Sequence, residues 1–193
     1  SSLSSIGWVC GGPIAVIDAL IEVIGEDGNI VMPSHSGDYS EPSYWCNPEV
    51  PKKWYEIIRE EMPAFNPKTT PCRGMGIIAE TFIKYEGVKR SHHPQVSFSA
   101  YGKDKNFITE NHSLEYGLSE NSPIARLYDL DAYVLLLGVP YDNNTSFHLS
   151  EYRSECREKF ISGAPIVENG KRIWKEFYDL ELDSDGFGYI GEL

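Results

Sequence analysis

The sequence predicts an α/β domain, a central mixed sheet flanked by helices, and three observations carry that expectation. Ile14, Ile17, Leu20, Ile21 and Ile24 recur at helical spacing, and an apolar stretch at 29–33 follows across Gly28. Residues 132–139, Ala-Tyr-Val-Leu-Leu-Leu-Gly-Val, form a continuous apolar run of the length of a buried strand. No repeat, low-complexity stretch or linker divides the chain, so residues 1–193 read as one domain. At 41% hydrophobic residues the sequence has material for one core of ordinary size.

The elements follow in order. Gly11-Gly12-Pro13 turns the chain into a helix over 14–24, with proline near its start where a missing N–H costs nothing. The strand at 29–33 is stopped by Pro33. Residues 36–51 are rich in Tyr, Trp, Pro, Ser and Asp without a period, which reads as a long surface loop. Pro51 opens a helix through Met62. Ile77, Ile78 and Phe82 mark another, broken by Gly87. Residues 96–101 alternate as a strand does, and Ser122-Pro123 caps a helix to about Tyr128. Residues 174–182 alternate again, with acidic side chains on one side.

Charge and cysteine usage narrow the function. There are 29 acidic against 17 basic residues, a formal charge of −12. That excess argues against nucleic acid and against an anionic membrane surface, both of which attract basic proteins. It suits a cationic small molecule, although acidity for solubility alone is an equally plain reading. Cys10, Cys46, Cys72 and Cys156 form no Cys-x-x-Cys pair, so neither a zinc ribbon nor a disulfide framework is expected. No metal is expected either. With no signal-like or membrane-spanning stretch, a soluble, cytoplasmic protein is the expectation.

Four segments carry candidate chemistry. After the run at 132–139 comes Gly138-Val139-Pro140-Tyr141-Asp142-Asn143-Asn144-Thr145-Ser146-Phe147-His148-Leu149-Ser150-Glu151. Glycine after a strand, then a polar loop, then a helix start is where α/β folds place ligands. Thr145 or Ser146 is positioned to cap that helix. Glu151, three residues beyond His148, shares its face, and a carboxylate-held histidine is a competent general base. The same spacing equally fits a histidine that is merely hydrogen-bonded. Arg90-Ser91-His92-His93-Pro94-Gln95-Val96-Ser97 is the second segment. Its adjacent histidines point apart on an extended chain, which disfavours a metal, whereas Arg90 and the serines suit a phosphate or an amide.

The third segment, Ser1-Ser2-Leu3-Ser4-Ser5-Ile6-Gly7 with Gly11-Gly12, precedes the first long helix, whose N-terminal amides favour an anion. It matches no nucleotide-binding fingerprint. The fourth is acidic: on a continuous strand Asp179, Glu181 and Asp183 would share one face. Such a row suits ammonium groups, or simply a solvated edge. No Gly-x-Ser-x-Gly elbow supports a serine hydrolase.

Together these segments resemble the aminoglycoside 3-N-acetyltransferase family. The resemblance rests on the Ser1–Gly7 run with Gly11-Gly12, Met32-Pro33-Ser34, Arg90-Ser91-His92-His93-Pro94 with Ser97-Phe98, and Glu120-Asn121-Ser122-Pro123. Leu137-Gly138-Val139 leading into Asn144-Thr145-Ser146-Phe147-His148-Leu149-Ser150-Glu151 carries it furthest, and Gly163-Ala164-Pro165 with the acidic segment after Trp174 also fits. It implies an enzyme that moves an acetyl group directly from acetyl-coenzyme A to an amine, with His148 as base. Glu151 or Glu181 would orient that base, and Thr145 would donate to the thioester oxygen. The resemblance further implies a coenzyme channel built from Ser1, Ser2, Leu3, Ser4, Ser34, His93, Ser97 and Phe98. Asp142, Asp179 and Asp183 would face the cationic substrate. Family members are expected to carry further segments before Ser1 and after Leu193. A coenzyme A-binding module without catalysis, or a transferase for an endogenous amine, is the alternative.

Overall fold

The computed structural model describes residues 1–154 and 156–192. In chain order the helices and strands are α1 (Leu3–Ile6), α2 (Gly12–Ile24), β1 (Asn29–Pro33), α3 (Tyr55–Glu61), α4 (Ile77–Phe82), β2 (Lys89–Arg90) and β3 (Phe98–Gly102). They continue with α5 (Lys105–Thr109), α6 (Pro123–Asp129), α7 (His148–Ser154), β4 (Lys159–Glu168), β5 (Lys171–Leu180) and α8 (Phe187–Gly191).

The helical stripe on α2 does what its spacing dictates. Ile17 is fully buried against Ile30 of β1 and Ile78 and Phe82 of α4, and Leu20 and Ile21 pack beside them. Each such side chain contributes roughly 1.5–3 kcal/mol by leaving water. A second cluster joins Phe98 of β3 and Leu118 to Ile124 and Ala125 of α6 and Leu149 of α7. Ser122 caps α6 as its sequence requires, its hydroxyl accepting from the Ala125 amide.

Among the described residues the strands form two antiparallel sheets. One has the order β1–β3–β2, with Val31 opposite Ala100, and the other is the hairpin β4–β5. The single mixed sheet expected from the sequence therefore takes another form. Residues 132–139 are not a strand in either sheet, and Tyr133, Val134 and Leu135 are exposed. An apolar run becomes a strand only where a ladder partner lies alongside. Here the backbone ties among the described residues are the Ala132 amide donating back to the Leu127 carbonyl at 3.0 Å and the Ser2 amide donating to the Leu137 carbonyl at 2.9 Å.

The hairpin is longer than the alternation at 174–182 suggested, and its first strand went unread. Asn169 and Gly170, both at positive φ, form its turn. Among the described residues no helix is long and apolar enough to cross a membrane.

Candidate active site

The site is built where a polar turn feeds a short helix. Asn144, not Thr145 or Ser146, does the capping: its buried side chain accepts from the Ser146 amide at 3.1 Å and closes the 3-10 turn Thr145–Phe147. That turn runs into α7 with His148 as its first residue. One helical turn on, Glu151 Oε2 accepts from His148 Nδ1 at 2.5 Å. The His148 side chain is only 17% exposed and that of Glu151 6%, so the pair is largely shielded from screening.

Glu151 is itself held. Arg157 Nε donates to its Oε1 at 2.6 Å, and the Asp183 amide to the same oxygen at 3.1 Å. Phe187 of α8 meets the His148 ring edge-on at 4.9 Å. With Nδ1–H committed to the carboxylate, the free lone pair of the imidazole sits on Nε2. A histidine fixed in tautomer and rotamer, with an unshared lone pair, is equipped to take a proton.

The loop ahead of this pair borders a groove of about 870 Å³, whose lining includes Ser1, Ser2, Leu3, Ser4, the glycines at 7, 11, 12, 74 and 76, and Asn143. Asn143 belongs to the loop that leads into His148. Two glycines bring its walls together. A Cβ at Gly138 would lie 2.6 Å from the Ser2 carbonyl oxygen, and one at Gly76 2.8 Å from that of Ser1; both residues have positive φ. Serine hydroxyls, closely approached backbone and the N-terminal amides of α2 are groups that suit a polar, extended, partly anionic ligand.

Four of the expected coenzyme residues lie elsewhere. Ser34, His93 and Ser97 are fully buried and Phe98 nearly so. Ser34 Oγ donates to Ser99 Oγ, and Ser97 Oγ donates to the Ser34 carbonyl, both at 2.7 Å. His93 Nδ1 accepts from the amides of Gln95 and Val96, which leaves Nε2–H to donate to the Leu114 carbonyl. Burial holds its pKa well below the usual histidine value. Their polar atoms are spent on partners inside the protein.

At the centre of that layer is Arg90. Its guanidinium donates to Ser97 Oγ and Ser36 Oγ at 2.8 Å each, and to the carbonyls of Thr70 and Ser34. All four acceptors are neutral. Burial pushes the Arg90 pKa down to about 10.

The acidic row does not form. β5 ends at Leu180, so the alternation breaks before Glu181 and Asp183. Asp179 is buried, accepting from the Tyr152 hydroxyl at 2.5 Å, and desolvation raises its pKa. Glu181 is exposed and tied through its backbone to Glu158. It is not the carboxylate that holds His148. Asp183 contributes its amide to Glu151 and its carboxylate to the Asp185 amide and, at 3.4 Å, to Arg157. Asp142 is exposed in the 3-10 turn Tyr141–Asn143, against Gly188 of α8. Thr145 stands half-buried between Asn144 and His148.

One residue escaped the sequence reading. His35 carries a buried Nε2 with no hydrogen-bond partner, its ring edge-on to Phe98 at 5.4 Å. Burial, helped by the nearby His148, His112 and Arg90, lowers its pKa to about 3.

The family model described as aminoglycoside 3-N-acetyltransferase matches residues 1–193. The chain belongs to that family. It is 54% identical over 193 residues to the SPbeta prophage-derived aminoglycoside N(3')-acetyltransferase-like protein YokD of Bacillus subtilis (strain 168), covering all of this chain and 71% of that one. Aminoglycoside N(3)-acetyltransferase IX of Micromonospora chalcea is 32% identical over 97% of this chain, which spans 66% of that relative. The crystal structure of YokD superposes with a TM-score of 0.96 over 99% of this chain and 76% of that one. The AAC-IIIb binary complex with CoASH superposes with a TM-score of 0.85 at 27% identity, over 98% of this chain and 74% of that one. Membership in the aminoglycoside 3-N-acetyltransferase family thus extends across the whole chain.

Proposed function

We propose that this protein is an acetyl-coenzyme A-dependent N-acetyltransferase for a cationic amine of the aminoglycoside type, with His148 as general base. The His148–Glu151 pair, locked by Arg157 and the Asp183 amide, is the observation that carries the reading.

In the reaction the free-base amine nitrogen attacks the thioester carbonyl. A C–N bond forms as the C–S bond breaks. His148 Nε2 takes the amine proton and returns it to the departing thiolate, so no covalent enzyme species is needed. Glu151 stabilises the imidazolium that forms in between, which favours the base only as charge develops. Thr145, three residues before the base in the turn, would hydrogen-bond the acyl oxygen.

Ser1, Ser2, Leu3 and Ser4, with the N-terminal amides of α2, would hold the diphosphate and pantetheine arm of the coenzyme. The hydroxyl- and glycine-lined groove beside the catalytic loop fits that role. The formal charge of −12 favours approach of a polycation, and Asp142 and Glu181 keep exposed carboxylates near this end of the molecule.

Thiol release from acetyl-coenzyme A across an aminoglycoside panel tests the reading. Release that requires both an aminoglycoside and His148 is expected. Equal release from His148→Ala would remove His148 from the mechanism. Calorimetric binding of the coenzyme with no release on any amine would remove the transferase activity.

A further inference from the structure

We propose that His35 is a second catalytic residue of this site, a neutral imidazole that donates a hydrogen bond to the acyl oxygen of the bound thioester. The proposal rests on the acetyl-transfer reading above and adds, beside the Thr145 hydroxyl that the family resemblance implies, a second donor at that step.

The backbone aims His35. Beyond β1 and β3 the antiparallel ladder continues, with the Ser34 amide donating to the Ser97 carbonyl and the Ser36 amide to the Gln95 carbonyl, each at 2.8 Å. The chain through 34–36 is therefore extended, and side chains alternate across it. Ser34 and Ser36 face the Arg90 layer, where both are fully buried. His35 must point the other way. There it meets Phe98, a member of the same packed cluster as Leu149, the residue next to His148.

Its chemistry is unspent. His93 and His112 use both ring nitrogens on protein partners. No group among the described residues hydrogen-bonds the His35 ring, and its Nε2 is sealed from solvent. A buried orphan N–H costs more than a buried orphan lone pair, so the proton belongs on Nδ1, on the part of the residue that stays open. Such an imidazole remains uncharged through the neutral range and offers one N–H donor.

The surroundings favour negative charge on the group that meets it. Arg90 lies behind the segment, buried, and among the described residues no carboxylate pairs with it. An uncompensated buried cation raises the potential on the His35 side and opposes an ammonium there. It assists an oxygen that gains charge as the amine attacks. A neutral histidine donor on a developing oxyanion gains strength only in the transition state, which is the condition for raising kcat.

The test uses the whole chain, with histidine nitrogen NMR and paired kinetics. The His35 nitrogen resonances, assigned by their loss in His35→Phe, are followed on adding coenzyme A and, separately, acetyl-coenzyme A. A Nδ1–H shift that appears with acetyl-coenzyme A and not with the free thiol is expected. His35→Phe keeps an aromatic ring against Phe98 and removes the orphan nitrogen, so a purely structural role predicts equal or greater thermal stability with unchanged kcat. The proposal predicts that stability is held while kcat falls about 10²-fold with KM within a few-fold. His35→Gln, which restores an N–H donor, should recover part of that loss.

An identical response to both ligands, or no response, overturns the proposal whatever the variants do. Full kcat in His35→Phe overturns it too. The two readings fail separately. An acyl-specific shift without thiol release on any amine sinks amine acetylation and leaves the hydrogen bond standing. Thiol release without that shift sinks the role of His35 alone.

Discussion

His93 and His112 pack against each other in the interior, ring centroids 4.8 Å apart and tilted by 37°, whereas His148 opens α7 and His35 lies on the extended chain just beyond β1. The two inner rings are fully engaged. His112 shares a hydrogen bond with Ser91 Oγ through Nδ1 and with the Gly117 carbonyl through Nε2, and His93 is saturated by two amides and a carbonyl. Among the described residues His148 keeps one ring nitrogen without a protein partner and His35 keeps both. Histidine content alone says nothing about which imidazoles do chemistry. What separates them is whether the fold has already consumed their lone pairs and protons.

The largest effect expected from that contrast is a reversal between two variants. His148→Ala should lower kcat by about 10³-fold while the melting temperature stays near wild type, since this helix-start side chain belongs to neither apolar cluster. His93→Ala should do the opposite. It leaves a cavity and strands two amides and a carbonyl, costing roughly 2–4 kcal/mol of stability by urea denaturation, with the folded fraction still turning over. If both variants lose rate and stability together, the division between inner and outer histidines is wrong.

Acid should next expose the histidines that burial keeps neutral, one from each pair. Folding lowers the pKa of His35 to about 3 and of His112 to about 4, against about 6.5 in the unfolded chain. Unfolding therefore takes up protons between pH 6.5 and 4, so the contribution of these groups is complete above pH 6.5 and declines as pH falls. The loss should reach a few kcal/mol by pH 4, read as a falling denaturation midpoint. His112→Asn should flatten that slope.

Glu151→Gln sharpens the outer half of the comparison. The amide keeps the shape but cannot stabilise an imidazolium, and it presents an N–H where Arg157 donates. A kcat loss of roughly 10–10²-fold is expected, with coenzyme binding by calorimetry little changed. The smallest effect lies far from any histidine. Gly170→Ala forces a side chain into positive φ at the hairpin turn and should cost about 1 kcal/mol in thermal unfolding.

Where the sequence was informative, the signal was local. The stripe on α2, the strand at Asn29–Pro33, the Ser122 cap and the three-residue spacing of His148 and Glu151 each depend on neighbours within a turn or two. The errors all needed a distant partner. Residues 132–139 have the composition of a strand and, among the described residues, no ladder to join. Asp179, Glu181 and Asp183 would share a face only on a strand that ran past Leu180.

Ser34, His93 and Ser97 looked like ligand groups because nothing nearby in sequence announces that Arg90 is buried among serines. Two features were available and unread. Asn169-Gly170 is the strongest short-range hairpin signal and would have placed β4. Period two across 34–36 would have set His35 opposite its serine neighbours.

The hairpin turn also governs when the base becomes usable. His148 and Glu151 meet as soon as α7 winds, because they are three residues apart. The Asp183 amide that fixes Glu151 arrives only after ten-residue strands have paired from Lys171 opposite Glu168 to Leu180 opposite Lys159. A slip of one residue in that zipper would turn every side chain of β5 over and carry the amide away from the carboxylate. Two residues at Asn169-Gly170, on the order of 30 Å of strand away, thus act as the timing mark for the site. A register error made at the turn is felt at the base, which keeps its helix neighbour but loses the amide that holds that neighbour.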